Sequence, residues 1–160
     1  MQSFTGSVRQ IGYAVRDLEA ALAQFEAMNG KAHEFWRFQA DLNAGCNYLY
    51  RGEPAECRLD VALTNINGID HEFIQVLEGP HPTADFIAAH GDGINHLALY
   101  LSDITAKRAH ALSIGGRIAA QGEFFDPAGP AKRFCYIEFN DRPLPLYELI
   151  ELKDPSRVAE

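Results

Sequence analysis

His96 stands where a side chain can do chemistry. It follows the turn Gly91-Asp92-Gly93 and opens the stretch HLALYLSD, in which apolar residues alternate. Leu97, Leu99 and Leu101 fall on one face, and His96, Ala98 and Tyr100 on the other. Alternation at period two marks a strand with one buried face, so the imidazole projects from the less greasy side. A histidine there serves as ligand, as general base or as a structural polar group.

The chain carries the same pattern earlier. QIGYAVRD at 10–17 and HLALYLSD at 96–103 are both short alternating strands ending on an aspartate. Each leads into a helix, DLEAALAQFEAMNG in the first copy and DITAKRAHALSIGG in the second, and each helix closes on glycine. An N-terminal Asp cap and a left-handed C-terminal Gly are the expected helix punctuation. Gln10 therefore takes in the first copy the place that His96 takes in the second. Further on, FIQVLEG at 73–79 and LYELIEL at 146–152 match and align Gln75 with Glu148. A repeat of about 80 residues in two copies is the main architectural signal of the sequence.

The elements that must position these residues follow from the same patterns. A strand spans about Val8 to Val15, and a helix Leu18 to Met28 carries the stripe Leu18, Ala21, Leu22, Phe25 and Met28, spaced to cover a greasy strand face. Residues 33–38 read as a strand, 39–55 as a long irregular connection, and Arg58–Thr64 as an alternating strand. NINGID at 65–70 holds an Asn-Gly hairpin turn, and His71–Glu78 follows as a strand. The first half is thus βαβββ. After a linker at 80–92 with a short helix opening at Pro82, the order recurs: strand 94–102, helix 104–114, then strands near 117–121, 132–139 and 145–152. The segment GEFFDPAGPAKR reads as a loop, and the tail from Lys153 as frayed.

Composition excludes several classes. The 160 residues are 47% hydrophobic, enough for a real core, and the net charge of −8 disfavours nucleic acid or an anionic membrane as partner. No apolar run reaches membrane-spanning length, and the N-terminal MQSFTGSVRQ lacks a signal-peptide pattern. Cys46, Cys57 and Cys135 are scattered without CxxC spacing, which fits buried thiols of a cytoplasmic protein. No P-loop, GxGxxG or nucleophile elbow is present.

QIGYAVRDLEAALAQF, GDGINHLALYLSDI and the final YELIE resemble the vicinal oxygen chelate superfamily, most closely its methylmalonyl-CoA epimerase and glyoxalase branches. The similarity runs over about residues 8–152, as one domain with module 1 at about 8–79 and module 2 at about 93–152. The resemblance implies an α+β fold: two βαβββ modules in tandem form one cupped mixed sheet with helices outside. It also implies a homodimer, and one divalent metal, Zn, Co, Ni or Mn, held by four side chains inside the cup. Carried over by position, these are Gln10, Gln75, His96 and Glu148. Gln10 shares its strand face with Gly12 and Ala14, and His96 with Ala98, so both point away from their helices. Epimerases usually have histidine where Gln10 stands, whereas glutamine there resembles some glyoxalases. Mixed O and N donors suit an open five- or six-coordinate site.

A metal in such a cup polarises a carbonyl and stabilises the enolate left when a neighbouring C–H is deprotonated. The base expected is Glu148, and Glu56 is the candidate for a second acid/base on the opposite substrate face. The resemblance thus implies a metal-dependent isomerase or epimerase acting on a small acyl thioester or related carbonyl acid. The alternatives are a glyoxalase-type lactoylglutathione lyase and a metal-free drug-binding protein using the same cup. A ring-cleaving dioxygenase is disfavoured, since its iron site takes two histidines and only His96 is available. Trp36, Phe38, Tyr48 and Tyr50 line a pocket mouth or pack in a core. Lys132 and Arg133 meet a substrate anion or lie in a solvated turn.

Overall fold

The computed structural model describes residues 8–124, 128–139, 145–154, 156 and 158. The centre of the Gly-Pro loop and half of the tail expected to fray lie outside them.

In the first half, β1 (Val8–Ala14) leads to α1 (Leu18–Asn29), β2 (Trp36–Leu42), a 3-10 turn (Ala44–Cys46), β3 (Leu49–Tyr50), β4 (Glu53–Pro54), β5 (Cys57–Ile66) and β6 (Ile69–Glu78). After α2 (Pro82–His90), the second half runs β7 (Gly93–Leu101), α3 (Thr105–Ser113), β8 (Arg117–Glu123), β9 (Ala131–Glu138) and β10 (Leu146–Leu152). Asp17 caps α1 by accepting from Ala20 N–H at 3.0 Å, and Gly30 ends it in the left-handed region at φ 67°. The apolar stripe of α1 buries Leu18, Leu22 and Phe25, but Met28 at its end is 77% exposed.

All strands join one ten-stranded sheet in the order β2-β5-β6-β1-β7-β10-β9-β8-β3-β4. β1 and β7 are antiparallel at its centre and join the halves, while β6 lies parallel to β1 and β10 parallel to β7. The fold is the expected α+β cup, a curled mixed sheet. On its outer face α1 covers Ala62 and Phe73, and α3 covers Leu99, Ile137 and Leu149. Inside, Leu59, Val61 and Ile74 of the first half meet Ala120, Phe134 and Tyr136 of the second.

Two local expectations are corrected. β2 begins at Trp36 rather than at His33, since pairing with β5 runs from Trp36 opposite Leu63 to Leu42 opposite Cys57. The connection read as irregular over 39–55 holds the end of β2, the 3-10 turn and the β3–β4 hairpin. That hairpin crosses to the second half and pairs with β8 through Leu49 and Tyr50. Cys46 and Tyr48 drop from it into the interior cluster, and all three cysteines are buried free thiols.

The third correction bears on the site. In the second half, Ala98 of β7 pairs with Glu148 of β10; in the first, Gly12, the repeat partner of Ala98, pairs with Glu72 of β6. The structural counterpart of Glu148 is therefore Glu72. Gln75 is three residues further on and so faces the other side of the sheet. There its Oε1 accepts from Leu18 N–H at 2.8 Å, satisfying one of the free donors at the start of α1. Gln75→Ala is expected to cost about 1 kcal/mol, lowering the melting temperature by about 2–4 °C in calorimetry, without weakening the binding of any divalent ion.

Candidate metal centre

The candidate centre lies on the four middle strands, β6, β1, β7 and β10. His96 is fully buried, and its Nε2 stands 3.3 Å from Glu72 Oε2 and 3.3 Å from Glu148 Oε2. Ligand atoms of Glu72, His96 and Glu148 all lie within 4.8 Å of one another. Gln10, also buried, brings its Nε2 to 3.3 Å from His96 Nε2 and 2.8 Å from Glu72 Oε2. The expected residues Gln10, His96 and Glu148 thus meet, and Glu72 completes the group where Gln75 was expected.

Local sequence explains why the imidazole fits. Gly12 lies between Glu72 and His96 in the sheet, and a Cβ placed on it would come within 1.9 Å of His96 Cε1. The ring lies over the glycine in the space that any other side chain would fill. Gln10 is held from behind: its Oε1 accepts from the Tyr100 hydroxyl at 2.9 Å, and that hydroxyl also faces Asp70 Oδ2.

The electrostatics call for a cation. Burial pulls the His96 imidazole down, but the Glu148 and Glu72 carboxylates standing close to its Nε2 outweigh it and raise it to about 9. Burial raises the Glu148 carboxyl above its ordinary value, against the contrary pull of His96 and of the Tyr136 hydroxyl, which hydrogen-bonds to it. Tyr136 itself is pushed well up by burial, so it stays a neutral donor. Even so, among the described residues His96 Nδ1 and Glu148 Oε2 are buried without a hydrogen-bond partner. An orphaned carboxylate oxygen beside an imidazole and a second carboxylate is a donor set that fits a divalent ion. The carboxamide of Gln10 fits it too. Turned end for end it presents Oε1 to the group, while Nε2 donates to the Tyr100 oxygen and Tyr100 donates to Asp70.

A cavity of about 970 Å³ opens over this group, with Gln10, Glu72 and Tyr100 in its floor and Trp36 and Phe38 in its wall. Glu56 is not part of it among the described residues. It is exposed just ahead of β5, seven residues before Leu63, which pairs with Glu72, or roughly 20 Å along the strand. The second acid/base expected there is therefore misplaced, because position in sequence carried no strand face. Lys132 and Arg133 both pair with Glu151, whose Oε2 accepts from Ile104 N–H at the start of α3. His81, without an assigned role in the sequence, packs edge-on to Tyr136 with ring centroids 5.4 Å apart, and burial lowers it to about 3, so it is neutral. Glu72 was legible after all: HEFI at 71–74 aligns with YELI at 147–150 and places Glu72 opposite Glu148.

Comparison with known proteins agrees with this fold. Solved structures with the same fold include methylmalonyl-CoA epimerase from Mycobacterium tuberculosis, 21% identical over 96% of this chain and 93% of that one, with a TM-score of 0.60. A methylmalonyl-CoA epimerase in complex with methylmalonyl-CoA and NH4+ is 20% identical over 93% and 96%, with a TM-score of 0.64. The Streptomyces coelicolor epimerase in complex with 2-nitronate-propionyl-CoA is 19% identical over 92% and 95%, with a TM-score of 0.63. No curated protein matches the sequence. Residues 9–136 match the family described as the Glyoxalase/Bleomycin resistance protein/Dioxygenase superfamily, and with most of its length so matched the chain belongs to that superfamily, the vicinal oxygen chelate proteins.

Proposed function

We propose that the protein is a metal-dependent isomerase of the epimerase type, acting by enolate formation on a small acyl thioester or related carbonyl acid. The observation that carries this reading is Glu148: a buried carboxylate raised above its ordinary value, with an unpartnered oxygen, in one group with Gln10 and Glu72, which line a substrate-sized cavity. The ion, Zn, Co, Ni or Mn, would be held by Gln10, Glu72, His96 and Glu148. When bound it supplies Lewis acidity at a substrate carbonyl oxygen, favouring loss of the adjacent proton.

The chain's own groups do the rest. Glu148 takes the α-proton, and burial makes it a stronger base than an ordinary carboxylate. Tyr136 hydrogen-bonds to Glu148 and orients it. Glu72 stands at the same Nε2 of His96 as Glu148, so a second carboxylate is present to return the proton to the opposite face, the role that Glu56 is too distant to play. The apolar cluster beneath, including Phe134, Ile74 and Val61, keeps water from quenching the carbanion. One observation favours a glyoxalase-type lyase instead: Gln10 in place of the epimerase histidine. Both reactions start with the same proton transfer and part at the substrate. The same reading takes the functional unit to be a cytoplasmic homodimer; no helix among the described residues is long and apolar enough to cross a membrane.

NMR in deuterium oxide is expected to show solvent deuterium entering the α-position of 2-methyl-branched acyl thioesters; uptake into hemithioacetals instead would identify the lyase. Glu148→Gln should keep the fold and reduce exchange by at least about 100-fold. Uptake in neither substrate class by metal-replete protein would overturn the enolisation reading. Separately, Gly12→Ala should displace the imidazole of His96 and abolish the rise in melting temperature that cobalt(II) gives to the unaltered protein. A rise equal to that of the unaltered protein would show that His96 holds no ion.

A further inference from the structure

Arg9 is the residue that neither the repeat nor the proton transfer uses. In β1 the pairing with β7 shifts register between Val8 and Gln10: Val8 lies opposite Leu99 and Gln10 opposite Ala98, so Arg9 is the extra residue of a bulge. Bulges bend a strand and re-aim a side chain, often beside an active site. Strict alternation would send Arg9 to the helix side, yet it lines the cavity next to Gln10. Among the described residues lining that cavity it is the one Lys or Arg, and no ion pair or hydrogen bond holds its guanidinium. Asp70, which lines the same cavity, is engaged by Tyr100 and by Asn65 Nδ2 at 2.7 Å.

The charge around it gives this cation a purpose. Asp70, Glu72 and Glu148 together exceed a divalent ion by one negative charge, which would repel an anionic substrate. Arg9 cancels that excess on the cavity side. A planar guanidinium matches a carboxylate with two parallel N–H donors. Across the cavity Trp36 packs on Phe38 with ring centroids 4.7 Å apart, and Trp36 is half exposed. This wall suits an apolar group, and the exposed Glu34 beside it is acidic and would repel the phosphates of a nucleotide handle.

We infer that Arg9 is the substrate's anion anchor, and that this cavity takes a small carbonyl acid by its free carboxylate, with an apolar portion against Trp36 and Phe38. The inference rests on the proposed enolisation only in placing the reacting carbon near Glu148. Trp36 is the single tryptophan of the chain, so its fluorescence reports binding directly. The probes are the N-acetylcysteamine monothioester of 2-methylmalonate, which carries the carboxylate and no nucleotide, and the methyl ester of the same compound. With cobalt-loaded protein the acid should quench Trp36 at least about tenfold more tightly than the ester. Arg9→Met should erase that preference while retaining its cobalt, and Arg9→Lys should restore part of it. Equal binding of acid and ester, an unchanged preference in Arg9→Met, or no quenching by either compound would each overturn the anchor. If the acid binds through Arg9 and no α-proton exchanges, the enolisation reading falls and the anchor stands.

Discussion

The structure depends on two carboxylates, Glu72 and Glu148, brought to one buried imidazole. Removing an ionised carboxylate from water costs several kcal/mol even after relaxation, and is tolerated only with a close opposite charge and hydrogen bonds for the remaining lone pairs. Here the opposite charge is the proton that the carboxylates keep on His96, raising it to about 9. One proton leaves the balance incomplete, since Glu148 Oε2 still has no hydrogen-bond partner. A divalent ion can displace that proton and engage Glu72, Glu148 and the imidazole together. Gly12 makes the room, Tyr100 and Asp70 hold Gln10 in reach, and Tyr136 steadies Glu148.

The sheet separates two kinds of surface by strand parity. Odd positions of β7 carry Leu97, Leu99 and Leu101 to the α3 side, and even positions carry His96, Ala98 and Tyr100 into the cup. Because β1 repeats this arrangement across the central antiparallel joint, the two halves deliver their polar groups to one place. Neither half has a complete donor set. The site exists only when β1 and β7 pair, so an ion bound there would reinforce the docking of the two modules.

The repeat made the cup, both helices and three members of the candidate site legible in sequence through local periodicity, and Asp17 and Gly30 cap α1 as expected, whereas α3 has Ile104 and Ile114 at its cap positions. Glu72 is hidden when FIQ is set against LYE, three residues out of register, since an odd shift in a strand inverts the face. Aligning HEFI with YELI would have kept the parity. The resemblance that nominates Glu56 does not determine which end of a strand reaches the cup. The β3–β4 hairpin, which pairs with β8 of the other half, was hidden for a different reason. Two-residue strands carry no periodicity, and their pairing is fixed by Cys46 and Tyr48 entering the shared core and by Arg51 reaching Glu138 at 2.8 Å.

The most direct measurement of the central claim is anomalous diffraction at the cobalt edge from crystals of the cobalt-loaded protein. The account predicts one peak per chain, bonded to Glu72, His96 Nε2 and Glu148, with the Gln10 carboxamide turned so that its oxygen faces the ion. A peak held by other residues, or the four side chains unchanged with no peak among them, would contradict it.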